Sequence, residues 1–240
     1  MSEPTVLVNR DAEGLAHAVA GRLITRLVDV QSEGRVAQVV LTGGRVAAVV
    51  LRAVAESPAA TAIDWQRVEF WWGDERFLPD GDPDRNETQA REALLSRVDV
   101  DPARVHPMAA DTGQGAEAAA EAYAAELSAA GSPTFDVLML GVGPDGHVAS
   151  LFPGYEQLKV TDVAAVAVHD SPKPPPTRIS LTFPTIDNAR EVWMVVAGND
   201  KADAVSQALS GGDVPAAHPR GLDRTLWLLD EGAAQQLTRG

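Results

Sequence analysis

Short runs of β-branched and aromatic residues alternate along this chain with alanine-rich stretches of helical period, and that alternation admits few folds. A strand, a crossing helix and a second strand in one sheet give a parallel pairing. The repeated pattern therefore predicts an α/β fold with a mainly parallel sheet and helices on both faces. Strands are predicted over Thr5–Asn9, Val36–Leu41 and Val68–Trp72, and over Asp136–Leu140, whose apolar run suits a strand covered on both faces. Later strands are expected at Val163–Val168, Arg178–Phe183, Val192–Ala197 and Thr225–Leu229. Helices are expected over Asp11–Gln31, where Leu15, Val19, Leu23 and Leu27 share a stripe, and over Arg45–Ala55, Glu87–Arg97, Ala116–Ala130 and Lys201–Ser210. Asp74–Asn86 reads as a polar, proline-bearing loop and Ser171–Thr177 (SPKPPPT) as a stiff one. No repeat, charge block or low-complexity linker divides the chain, so residues 1–240 read as one domain with a sizeable core.

Composition limits the function. No apolar run reaches the roughly 18 residues of a membrane span, and the start, MSEPTVLVNRD, lacks a basic region followed by an apolar core. With no cysteine and no visible signal, the cytoplasm is the expected setting. Thiolate nucleophiles and zinc–thiolate sites are excluded by the same absence. A net charge of −14 argues against a nucleic-acid partner, which needs clustered Lys and Arg. An anionic substrate would need a local positive pocket against this field. Lysine is confined to Lys159, Lys173 and Lys201, so each lysine invites a question.

Four segments at strand ends carry unusual residues, and in open α/β sheets ligands bind at the carboxyl ends of the strands. LTGGRV (Leu41–Val46) joins a strand to a helix through Gly43 and Gly44 after Thr42. Its glycines and the helix amino terminus suit a phosphate, although for a Gly-Gly pair taken alone a ligand-free tight turn is the favoured reading. No Walker or dinucleotide fingerprint matches. WWGDERF (Trp71–Phe77) places an acidic pair, Asp74 and Glu75, before Arg76, where they could hold a hydroxyl and stabilise an oxyanion, or else simply pair with one another in a surface loop. GVGPDGHVASLFPG (Gly141–Gly154) presents Asp145 and His147 on a glycine-rich turn. There His147 can take a proton from water and return it, with Asp145 orienting the ring. His17, His106, His169 and His218 lack such a setting and read as structural. A metal held by His147, Asp74 and Asp145 finds no supporting ligand spacing. Finally, Arg178 and Lys201 are cations beside strands. Lys201, expected in the first turn of its helix, is better placed with an anion nearby.

GDER, the long histidine segment, the RIS strand after a proline-rich loop, and AGNDK occur here in an order and spacing that resemble the 6-phosphogluconolactonase branch of the glucosamine-6-phosphate isomerase/6-phosphogluconolactonase family. The resemblance spans essentially the whole chain. It implies a Rossmann-like three-layer sandwich of the phosphosugar deaminase/lactonase type, and hydrolysis of a phosphosugar lactone in the oxidative pentose phosphate route. By the same resemblance His147 is a general base, Arg76 positions substrate and stabilises an oxyanion, and Asp74 and Asp145 bind or orient nearby groups. Thr42, Gly43, Gly44, Arg178 and Lys201 would hold the 6-phosphate. Asn86 matches a family asparagine without an evident job. No metal or organic cofactor is implied, and the partner is a small-molecule lactone bound by a monomer or weak homo-oligomer. Many relatives have Ser or Thr after the paired glycines where this chain has Arg45 and Val46. The alternative within the family is a glucosamine-6-phosphate deaminase/isomerase, which typically has DEY in place of Asp74-Glu75-Arg76 and often a further acid after DGH. Leu151, Phe152 and Pro153 do not supply that acid. A phosphosugar sensor fused to a DNA-binding unit would need an amino-terminal helix-turn-helix, whereas this chain begins with a strand and is acidic.

Overall fold

The structure is a computed structural model and describes residues 3–237, so the ends of the expected 1–240 domain lie outside the described residues. Strands β1 (Thr5–Asn9), β2 (Ala37–Leu41), β3 (Val68–Trp72), β5 (Phe135–Leu140), β8 (Ala189–Val196) and β9 (Arg224–Asp230) form a six-stranded sheet in the order β1-β9-β8-β5-β2-β3. Every pairing in it is parallel. Strands β4 (Asp74–Arg76), β6 (Ala165–Val168) and β7 (Arg178–Leu181) form a separate antiparallel sheet, ordered β4-β7-β6. The helices are α1 (Ala12–Ser32), α2 (Arg45–Glu56), α3 (Asn86–Ala90), α4 (Ala116–Ala129), α5 (Phe183–Ile186) and α6 (Ala202–Leu209).

Successive strand residues face opposite sides of the sheet, and here both sides are buried. Val39, Trp72, Val137, Met139 and Leu228 pack with α1 and α2, while Val40, Trp71, Leu138, Leu140 and Trp227 pack with α4 and α6. This is why the strands read as continuous apolar runs rather than alternating ones. Each large side chain fully removed from water contributes about 1.5–3 kcal/mol. The α1 stripe predicted from Leu15, Val19, Leu23 and Leu27 is buried throughout, and Asp11 caps the helix by accepting from the Gly14 N–H at 2.8 Å. The small sheet joins the α4 side, where Ile179 and Leu181 enter the same core as Tyr123.

Three expectations need correction. The Asp74–Asn86 segment is not all loop, because Asp74–Arg76 pair with Ser180, Ile179 and Arg178 as a strand. Three consecutive charged residues carry no strand propensity, and tertiary partners hold them instead. Arg178 accordingly opens a strand of the antiparallel sheet, not of the parallel one. The expected helix over Glu87–Arg97 is a short α-turn, Asn86–Ala90, running into a π-helical turn, Arg91–Leu95. The strand predicted to reach Phe183 ends at Leu181, because Thr182 starts the turn of α5 with Pro184 in its first turn.

Candidate active site

Because all six strands run the same way, their carboxyl ends share one edge of the sheet. There a cleft of about 880 Å³ opens between the ends of β2, β5 and β8 and the small sheet. Nine of the ten predicted site residues line it, and Asp145 stands behind His147.

The histidine turn is built by its glycines. Gly143 donates its N–H to the His147 carbonyl at 2.9 Å, and Gly146, at φ +82°, donates to the Gly143 carbonyl at 3.0 Å. A Cβ on Gly143 would lie 2.1 Å from the His147 ring and 2.4 Å from Asp145 Oδ1, so only glycine permits this packing. His147 Nδ1 lies 2.6 Å from Asp145 Oδ1, and the Phe152 ring sits 4.5 Å from the imidazole. Partial burial alone would raise the Asp145 carboxyl. The His147 hydrogen bond and the charges of His147 and Lys173 outweigh that and hold it at about 2. An ionised carboxylate only accepts. His147 Nδ1 therefore donates, which leaves the Nε2 lone pair of the neutral ring available to take a proton.

Asp74 ties the small sheet to this turn. Its Oδ2 accepts from Ser150 Oγ at 2.7 Å, and Asn86 Nδ2 donates to its main-chain oxygen at 2.8 Å and to Oδ1 at 3.3 Å. Ser150 follows Ala149, a non-glycine residue at φ +49°, a conformation that costs of order 1–3 kcal/mol. The Ser150 N–H donates to Ser180 Oγ at 3.2 Å. Neither Ala149 nor Ser150 stood out in the sequence.

Glu75, half of the acidic pair, has a different role from either one expected of it. The acidic pair and arginine do not simply bond one another on a surface. Glu75 is fully buried and accepts the backbone N–H groups of Arg76, Asn86 and Glu87 at 2.6–2.9 Å, which fixes the start of α3 and with it Asn86. Burial pushes its carboxyl from 4.5 up to about 7, against the pull of those N–H groups and of Arg85. The folded protein then holds a proton between about pH 4.5 and 7 that the unfolded chain releases, so stability falls as pH rises through that window. Glu75→Gln should flatten this slope, by an amount on the order of 3 kcal/mol over the window at 1.36 kcal/mol per pKa unit. Denaturant midpoints of both proteins from pH 4.5 to 7.5 check it. Parallel curves would contradict the assignment.

Arg76 and Arg178 are direct cross-strand partners, and both line the cleft. Like charges in register repel. Arg76 Nη1 donates to the Asp84 carbonyl at 2.6 Å. Arg178 Nε donates to the Pro175 carbonyl at 2.9 Å, and its Nη2 to those of Lys173 and Pro174. Burial, and Arg76 beside it, push the Arg178 guanidinium below its usual value, while Asp74 opposes them.

The glycine turn completes the cationic side. Gly44, at φ +95°, is the N-cap of α2 and has no side-chain capping bond, so the helix presents its amino-terminal N–H groups to the cleft. Thr42 Oγ1 accepts from the Gly141 N–H at 3.4 Å. A Cβ on Gly43 would fall 1.7 Å from Asn86 Oδ1, a buried acceptor without a protein partner. Lys201 sits one residue ahead of α6 rather than inside it, and its Nζ pairs with Asp200 at 2.8 Å. Its turn is anchored by Asp230, which accepts the Gly198 N–H on both carboxylate oxygens at 3.0 Å.

The remaining histidines divide. His106 bridges Glu69 and Glu126 under Trp71, His169 pairs with Glu117, and His218 packs on Phe183, but His17 lines the outer cleft. Among the described residues no three His, Asp or Glu side chains gather as a metal site. No helix among them is long and apolar enough to cross a membrane.

The family model for glucosamine-6-phosphate isomerases/6-phosphogluconolactonase matches residues 10–227. The chain belongs to this family. The resemblance read from GDER and the histidine segment thus holds. A 6-phosphogluconolactonase of Streptomyces coelicolor is 57% identical, over 98% of this chain and 95% of its own length. One from Mycobacterium tuberculosis is 45% identical, over 95% and 96%. The crystal structure of 6-phosphogluconolactonase from Thermotoga maritima superposes with a TM-score of 0.85 at 29% identity, covering 95% of this chain and all of that one. The enzyme from Trypanosoma brucei gives 0.87 at 27%, covering 99% and 100%. These family members share the mostly parallel α/β fold described above.

Proposed function

We propose that the protein hydrolyses 6-phospho-D-glucono-1,5-lactone to 6-phosphogluconate, as a cytoplasmic step of the oxidative pentose phosphate route. One observation carries this reading: His147, with Nε2 free to accept a proton, faces a cleft that Arg76 and Arg178, paired in register, also line. The family membership and the names of the relatives support it.

In this reading His147 Nε2 takes a proton from water as the water oxygen adds to C1 of the lactone. The tetrahedral intermediate collapses by breaking the C1–O5 bond, and O5 takes the proton back from Nε2. The new acid then ionises, so lactone and water give a carboxylate and a proton. Asp145 stabilises the transient imidazolium. Arg76 positions substrate and supports the developing oxyanion. Asp74 and Asn86 hold the floor of the cleft. Thr42, Gly43, Gly44 and Lys201 take the phosphate, with the cleft-facing edge of Arg178 beside them. Every one of these groups comes from one chain, which suits a monomer or weak homo-oligomer.

Phosphate selectivity tests the arrangement. A hydrogen bond to a charged group contributes about 1.5–3 kcal/mol, roughly 10–150-fold. Lys201→Ala should raise KM for the phosphorylated lactone by about that factor and leave unphosphorylated glucono-1,5-lactone nearly unaffected. Equal losses on both substrates would remove Lys201 from the phosphate site.

A further inference from the structure

Lys173 lines the cleft, yet neither the strand ends nor the glycine turns account for it. It lies in the proline-rich loop before β7, and its main chain is held firmly. The Ser171 hydroxyl donates to its carbonyl at 3.0 Å and accepts from its N–H at 3.3 Å, while Arg178 Nη2 donates to the same carbonyl at 3.1 Å. The Nε and Nη2 groups of Arg178 are thus spent on carbonyls of this loop, and part of its effect on the cleft is to hold the main chain that carries Lys173. The Lys173 ammonium itself forms no ion pair among the described residues, whereas Lys159 pairs with Glu156 and Lys201 with Asp200. Burial pushes it below its usual value, and the strongest opposing influence is Asp145. Asp145 in turn feels Lys173 after His147. Lys173 and His147 thus line one cleft, with the charge of Lys173 reaching Asp145 behind the imidazole as well as Lys201 and Asp200.

We propose that the ammonium of Lys173 meets the oxygen at C1 of the substrate, stabilising the oxyanion formed when water adds and afterwards the product carboxylate. This rests on the lactonase reading above. It makes Lys173 a catalytic residue and Arg178 a positioning residue that acts partly through it. A half-buried ammonium with no carboxylate directly on it is suited to a negative charge that exists only during and after the reaction.

Lys173→Met keeps every main-chain contact of the loop. It should lower kcat by about 10²-fold with KM changed by less than about threefold, on phosphorylated and unphosphorylated lactones alike, and Lys173→Arg should recover at least a tenth of the wild-type kcat. Calorimetry with two unreactive ligands separates the two ends of the substrate. Both 6-phosphogluconate and glucitol 6-phosphate carry the phosphate, and only the first carries a carboxylate. The preference of the wild type for 6-phosphogluconate should shrink at least tenfold in Lys173→Met, with glucitol 6-phosphate binding retained. An equal loss on both ligands would make Lys173 a phosphate residue and overturn the proposal, as would an unchanged kcat with an unchanged preference. Failure of the wild type to hydrolyse the lactone would instead remove the lactonase reading, while the ligand pair would still report where Lys173 points.

Discussion

His147→Gln should lower kcat for 6-phosphogluconolactone by about 10²–10⁴-fold, the usual contribution of a positioned general base, with KM within a few-fold of wild type. Glutamine is similar in reach and can still donate to Asp145. The turn should survive, because its carbonyl contact with the Gly143 N–H belongs to the main chain. What glutamine cannot do is take the proton of the attacking water at neutral pH. Initial rates on freshly made lactone, corrected for spontaneous opening, measure the loss. A His147→Gln enzyme with wild-type kcat would leave the cleft without its base.

Gly143→Ala should cost nearly as much without touching a charged group. The new methyl would sit 2.1 Å from the His147 ring and 2.4 Å from Asp145 Oδ1, far inside any tolerated contact. Both side chains must move, and a base misplaced by about 1 Å can lose on the order of 10²-fold. Overpacking also destabilises, by typically 1–3 kcal/mol. Gly141→Ala is the control, two residues away in the same segment. A Cβ there meets no protein atom within 4 Å, so stability and the histidine–aspartate contact should stay near wild type. If both alanine variants behaved alike, the loss at Gly143 would not come from the histidine–aspartate contact.

Much of this architecture was legible beforehand because parallel strands covered on both faces announce themselves as apolar runs. Val68–Trp72 was found to the residue, and β2, β5, β8 and β9 to within a few residues at each end. His147 and Asp145 were equally plain, since glycines crowd around a polar pair only where backbone must bend sharply. The small antiparallel sheet was not legible as such. Its strand β4 is Asp-Glu-Arg, a sequence whose burial makes sense only once the backbone N–H groups of residues 76, 86 and 87 are seen to converge on Glu75. Arg178 was noticed for its charge, but its bonds to three carbonyls of the preceding loop depend on how that loop folds back. Lys173 carried one signal, the scarcity of lysine, and the proline-rich setting pointed away from it. Asn86 was singled out by family likeness alone. Its fixed amide and its place beneath Gly43 belong to the three-dimensional arrangement.

The central claim is that this cleft opens a phosphosugar lactone. Its most direct test gives the wild-type protein fresh 6-phosphogluconolactone, with acid release followed above the spontaneous rate, and in parallel glucosamine 6-phosphate, with ammonia measured. Strong acceleration on the lactone and no ammonia is the predicted result. No acceleration on the lactone, together with ammonia from glucosamine 6-phosphate, would contradict the account and assign the cleft to deamination.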